Sequence, residues 1–163
     1  RFTSDWSSDV CSSDYSYEHT VQFVQITVGA RVFYAESIDK LIKNMTFREF
    51  VLSDTTGNAS PSNIKDLLMV LFTEFNPSSF ALHLHDTFVH ASENLRCGLD
   101  NGITTFDSSA GGIGGCPYAP GAKGNISTNT ILSIIKEEGY TSEVDEEKLY
   151  DAGHFINSYL TKN

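Results

Sequence analysis

Basic residues are scarce. The chain carries 11 Lys and Arg against 21 Asp and Glu, a formal net charge of −10 over 163 residues. That balance argues against a nucleic-acid backbone or an anionic membrane surface as the main partner, because both are held by a basic face. Cysteine is nearly absent, and Cys11, Cys97 and Cys116 form an odd, scattered set. Such a set is no disulfide framework and favours a reducing compartment. No apolar run reaches the roughly 18 residues that a membrane-spanning helix needs. The basic-then-apolar start of a secretory signal is missing too. What is present is 40% apolar residues, enough for a buried core in a chain of one-domain size.

The opening "RFTSDWSSDVCSSD" has neither helical nor strand period, and it nearly repeats itself in "SSDV" and "SSDY". There is no initiator Met. The run resembles a translated sequencing adapter joined to a genuine reading frame; an acidic disordered tail is the other reading. Residues 1–17 are therefore expected to be a non-native or disordered segment, and 18–163 the folded part.

From there the pattern is regular. The β-branched and apolar stretches 20–28, 49–57, 80–87 and 103–112 read as buried strands. Helical spacing marks 36–45, 60–75, 90–102, 127–139 and 144–160. Ser60 and Pro61 form a start signal for the second of these, and Gly102 and Gly139 are stop signals. Buried strands alternating with helices imply a parallel sheet. Four βα units with terminal helices make half of a (β/α)8 barrel, so the fold class is α/β, a partial TIM barrel. Chemistry in such barrels gathers at the C-terminal ends of strands. Polar residues collect there in this chain: Asp54 and Thr55, His83 to Thr87, and Asp107 to Ser109.

In "LHLHDT" (82–87), His83 and His85 stand two apart, which in a strand projects both to one side. Two imidazoles on one face are half of a divalent-cation site; incidental polar residues on a core strand are the alternative. Asp86 faces the other way and is better suited to orienting a neighbour. "GGIGGCPYAPGAKGN" (111–125) holds six glycines around Cys116. It lacks the Lys-Ser/Thr ending of a phosphate-binding loop and does not read GxGxxG. It is either a surface loop with an incidental thiol or an active-site lid that delivers a reactive cysteine. Asn125, where the loop meets a helix, suits an oxygen ligand or a helix cap equally.

At these residues the chain resembles a known family. "DSSAGGIGGCPYAPGAKGN" is similar to the cysteine loop of 3-hydroxy-3-methylglutaryl-CoA lyases, and "SDTTG", "HLHDT" and "DAGHFI" follow the same order and spacing over roughly residues 46–160. The resemblance implies the C-terminal half of a metal-dependent TIM-barrel lyase. Its reaction would be retro-Claisen cleavage of an acyl-CoA substrate to acetyl-CoA and acetoacetate, with Mg²⁺ or Mn²⁺ as divalent cation. It further implies His83, His85 and Asn125 as metal ligands, and Cys116 and Asp54 as catalytic residues. A first-strand aspartate and arginine would lie outside this chain, so the fragment is expected to be inactive alone. The resemblance allows a homo-oligomer for the full-length enzyme, and a bacterial cytoplasm or a mitochondrial matrix as compartment. Three positions depart from the pattern. "GNISTNT" puts Asn129 where the family has a glutamate, Val89 replaces a usual glycine, and "GARVFYAES" replaces an earlier Cys-Gly loop. These leave room for a bulkier 3-hydroxyglutaryl-CoA. The remaining alternatives are a related Claisen synthase and a non-catalytic α/β interaction module.

Overall fold

The computed structural model describes residues 49–115 and 123–160, together with the backbone of the strand Val21–Gln25. The expected helix over 36–45 and the whole of residues 1–17 lie outside the described residues. Four strands form one parallel sheet: β1 (Val21–Gln25), β2 (Glu49–Asp54), β3 (Phe80–Leu84) and β4 (Thr105–Asp107). Their spatial order equals their order in the chain. Every pair is parallel, with Val51 opposite Ala81 and Ala81 opposite Thr105. Sequential parallel strands with crossover helices are the building pattern of a (β/α)8 barrel, and four strands form an arc of one.

Alternation along the strands sorts the sheet into two faces. Phe50, Leu52, Phe80, Leu82 and Leu84 point outward and join the main core. The helices α1 (Pro61–Leu71), α2 (Ala91–Asp100) and α3 (Thr128–Glu137) cover that face; α4 (Glu146–Leu160) follows at the C-terminal end. In α1 the buried set Ile64, Leu67, Leu68 and Leu71 is the i, i+3, i+4, i+7 stripe of one helix face. Ser60 caps α1 reciprocally. Its hydroxyl accepts from Asn63 N at 3.3 Å, and Asn63 Oδ1 accepts from Ser60 N at 3.0 Å. Ser127 caps α3 by accepting from Thr130 N at 3.0 Å.

Several ends fall short of the sequence reading, three of them with a clear cause. Helix α1 stops at Leu71 rather than 75: Thr73 N and Glu74 N bond back three residues to Val70 and Leu71, tightening the last turn ahead of Pro77. Phe72 and Phe75 then pack around Phe80, with ring centroids 5.9 and 6.1 Å away. Strand β3 ends at Leu84, the last residue opposite β2. Strand β4 ends at Asp107, opposite His83, and the glycines that follow enter a 3-10 turn at Ala110–Gly112.

Candidate active site

The site grows out of the end of β3. His83 is its fourth residue, and His85 continues the same phase just past the strand, bridged in antiparallel fashion to Asn125. The rings converge: His85 Nε2 lies 3.1 Å from His83 Nε2, with ring centroids 5.1 Å apart. Between neutral rings this distance is a hydrogen bond in which one imidazole donates and the other accepts. It is also the spacing a cation needs, since an octahedral ion with donors at about 2.1 Å sets neighbouring donors about 3.0 Å apart. Asp107 stands in line beyond His83, its Oδ2 3.7 Å from His83 Nδ1. A carboxylate behind one ring nitrogen favours a proton there and turns the other nitrogen's lone pair forward.

Burial pushes the His85 pKa down, His83 beside it pushes the same way, and the Asn125 side chain opposes both. His85 is only 6% exposed, and that burial favours the neutral form that ligates metals. Neither His85 Nδ1 nor Asn125 Oδ1, both buried, completes a hydrogen bond of ordinary geometry. Asn125 is instead anchored through its amide nitrogen, which donates to Ile113 O at 3.1 Å. Its carbonyl oxygen is thus left for another donor or a cation. The donor set of two imidazoles and an amide oxygen fits a divalent ion in part. Among the described residues, no three His, Cys, Asp or Glu side chains converge as a cation-holding group.

Asp54, expected among the catalytic residues, meets the histidines through its backbone alone, His85 N donating to Asp54 O at 3.3 Å, while its carboxylate is engaged elsewhere. By alternation and register it lies opposite Leu84, on the helix-facing side. Its carboxylate accepts from Asn58 N at 3.1 Å and Ala59 N at 2.9 Å, with Thr56 Oγ1 at 3.5 Å. Burial raises its pKa, against those donors, which lower it. These contacts make Asp54 an organiser of the loop from β2 to α1. Asn94 on α2 extends that order by donating to Ala59 O at 2.7 Å. Asp86 is likewise structural, because its Oδ1 accepts from Ala91 N at 3.3 Å and caps α2 where His90 supplies no side-chain cap.

Cys116 lies outside the described residues, but both ends of its loop are described. Asn125 N donates to Gly114 O at 3.2 Å, and Thr87 Oγ1 donates to Lys123 O at 2.9 Å. The loop therefore leaves and returns through a neck fastened to the segment after His85. The crossing is so close that a Cβ on Gly124 would fall 1.1 Å from Gly114 O, so only glycine fits. The one cysteine among the described residues, Cys97, sits on α2 and donates to Pro61 O at 3.3 Å. Burial, then Asp100, pushes its thiol pKa up, which makes it a poor nucleophile.

Two contributors were not singled out from sequence. Asp107 had been noted only as strand-end polarity; its place behind His83 requires the β3–β4 register. Ser53 is opposite His83 in β2 and 2% exposed. Its signal was its phase: it alternates with Leu52 and shares a face with Val51.

The geometry defines an α/β-barrel-type protein with a histidine pair at a strand's C-terminal end. The HMGL-like family model matches residues 13–156, so the chain belongs to that family. Hydroxymethylglutaryl-CoA lyase of Bacillus subtilis is 41% identical over 114 residues, 70% of this chain and 38% of that protein. The human mitochondrial hydroxymethylglutaryl-CoA lyase is 32% identical over 152 residues, 93% of this chain and 44% of that protein. The crystal structure of the B. subtilis HMG-CoA lyase superposes with a TM-score of 0.81 at 32% identity, over 88% of this chain and 50% of that one. An HMG-CoA lyase from Acinetobacter baumannii, in complex with coenzyme A and 3-methylmalate, gives a TM-score of 0.75 at 27% identity, over 86% of this chain and 48% of that one. The chain thus spans about half the length, or less, of these relatives. Among the described residues no helix is long and apolar enough to cross a membrane.

Proposed function

We propose that this chain is the metal-binding half of a hydroxymethylglutaryl-CoA lyase. The observation that carries the reading is the 3.1 Å approach of His83 Nε2 and His85 Nε2 beside Asn125, in a chain of the HMGL-like family. In the proposed reaction the 3-hydroxyl of the acyl-CoA loses its proton and the C2–C3 bond breaks. A carbonyl forms at C3 of the departing acetoacetate. The electron pair left on C2, as the enolate of acetyl-CoA, takes up a proton. A bound Mg²⁺ or Mn²⁺ would polarise the substrate's oxygens and offset negative charge. His83, His85 and the Asn125 carbonyl oxygen would hold it, Asp107 would orient His83, and further ligands would come from the other half of the barrel. Cys116, on the loop fastened beside His85, is the proposed residue acting near the acyl carbon. Asp54 would serve by positioning the β2–α1 loop.

The reading is tested by assaying acetoacetate release from 3-hydroxy-3-methylglutaryl-CoA with Mn²⁺ in three samples: the 163 residues alone, a related lyase's N-terminal half alone, and the two mixed. Turnover only in the mixture, abolished by EDTA, is the expected result. Turnover by the 163 residues alone would mean that the catalytic groups are misassigned. A tightly bound cation is also what separates this reading from a non-catalytic interaction module.

A further inference from the structure

We infer that Ser53 is a ligand-binding residue of the histidine site, donating its hydroxyl to an anionic oxygen of the molecule bound there. The inference rests on the reading of the site given above. Ser53 is opposite His83 in the β2–β3 register, so the two residues share a face on strands about 5 Å apart. The residue is 2% exposed, and among the described residues its Oγ has no hydrogen-bond partner. Two of the other buried polar atoms in that condition, His85 Nδ1 and Asn125 Oδ1, belong to the same site, and the third, Asn94 Oδ1, sits on a residue already bonded to Ala59 O. A hydroxyl without a partner in a dry interior opposes folding. At this position it lies on the same face as His83, whose ring converges with that of His85, and an oxygen-rich anion held there by a cation would need donors. Among the described side chains on the same face, Val51 and Ala81 are apolar and Asp107 only accepts. Serine is the right donor for this task because its proton rotates to meet the acceptor. The ligand class is a hydroxy acid with at least one carboxylate.

The test uses full-length protein and its Ser53→Ala variant, which removes one oxygen and adds nothing to the packing. Mn²⁺ is titrated first, then 3-methylmalate in the presence of saturating Mn²⁺, both by calorimetry; thermal unfolding is measured without ligand. The expected result is unchanged Mn²⁺ affinity, about tenfold weaker 3-methylmalate binding, and an unfolding temperature equal to or above that of the wild type. Equal 3-methylmalate affinity in the two proteins would overturn the inference and leave the lyase reading standing. A lower unfolding temperature in the variant would make Ser53 a fold-supporting residue bonded elsewhere in the complete barrel, and would also overturn it. A parallel loss of Mn²⁺ affinity would move Ser53 to the cation instead. Wild-type protein that binds neither Mn²⁺ nor 3-methylmalate would overturn the lyase reading, and this inference with it.

Discussion

Ser53 and Asp54 are neighbours on one strand, yet they belong to different environments. Asp54 faces the helices with both carboxylate oxygens occupied by backbone donors. Ser53 faces the barrel interior with its hydroxyl unpaired among the described residues. The contrast extends across the sheet. Toward the helices stand Phe50, Leu52, Phe80, Leu82 and Leu84, all at most 3% exposed and packed into one cluster. Toward the interior stand Ser53, His83, His85 and Asp107, with His83 in contact with both His85 and Asp107. The outer face is built to exclude water and is complete. The inner face retains polar atoms whose bonding is unfinished, the condition expected of a surface that awaits a ligand.

The largest effect that can break this comparison is on the outer side. Leu82 is fully buried beneath α2, and Leu82→Ala should cost about 2–5 kcal/mol of stability, because the site cannot collapse around the missing atoms. Urea unfolding of the full-length protein measures it. A cost under 1 kcal/mol would mean that the outer face is not the main core.

On the inner side, His85→Ala should change binding more than stability. Loss of one of two imidazole ligands is expected to weaken Mn²⁺ affinity about 100-fold or more, a deeper effect than loss of an outer-shell partner. An Mn²⁺ paramagnetic-resonance titration reads this directly. Unchanged affinity would reduce the 3.1 Å contact to a hydrogen bond between core histidines.

Asp54 sharpens the border between the faces. Asp54→Ala leaves the Asn58 and Ala59 N–H groups without their acceptor, at a cost of about 1–3 kcal/mol, with Mn²⁺ affinity unchanged. The pH dependence has a definite sign. Burial holds the folded carboxyl above its ordinary 3.8, so the protonated form is the one the fold prefers. The stabilisation is complete below the ordinary value and declines as pH rises through the folded one, the reverse of a salt-bridged carboxylate. The stability gap between wild type and variant should therefore narrow from acidic toward neutral pH, as measured by unfolding at several pH values. A gap that widens would mean that the backbone donors outweigh desolvation.

Much of this was legible in the sequence. The helices followed from apolar spacing and from caps such as Ser60 and Ser127, which act within a few residues of themselves. The strand order followed from the alternation of elements, and the shared face of His83 and His85 from a period of two. What stayed hidden depends on partners far along the chain. The place of Ser53 beside His83 is set by the pairing of β2 with β3, and that of Asp107 by the pairing of β4 with β3. Past Leu84 the β2 side keeps one bond, His85 N to Asp54 O at 3.3 Å, while the 124–126 segment takes the opposite edge, where Asp86 N donates to Gly124 O at 2.9 Å. Local sequence carries no trace of such pairings.

The smallest expected effect concerns backbone strain, and it too distinguishes the two sides. Val89 has φ 65° and is the one non-glycine residue in the left-handed region among the described residues. It sits at the mouth of the sheet, just after the histidine strand. The turn is held from several directions: Val89 N donates to Asp86 O at 3.3 Å, Asp86 N is bonded to Gly124 O, and Thr87 Oγ1 to Lys123 O. With its neighbours fixed, Val89 cannot relax, although its own side chain is 69% exposed and gains little from packing. A left-handed conformation costs an L-residue about 1–2 kcal/mol, and β-branching makes it worse. Glycine removes that cost but gains about 0.4–1 kcal/mol of freedom in the unfolded chain. Val89→Gly should therefore stabilise the protein by somewhat under about 1 kcal/mol, or roughly 1–3 °C in unfolding temperature. Asn tolerates the region better than Val and less well than Gly, so the order of stability should be Gly, then Asn, then Val. That order separates backbone strain from hydrophobicity, because Asn is polar and Gly has no side chain. If Asn instead falls below Val, the exposed valine is making an apolar contact that outweighs its strain, and the mouth of the site is stabilised by more than the hydrogen bonds that fix its turn.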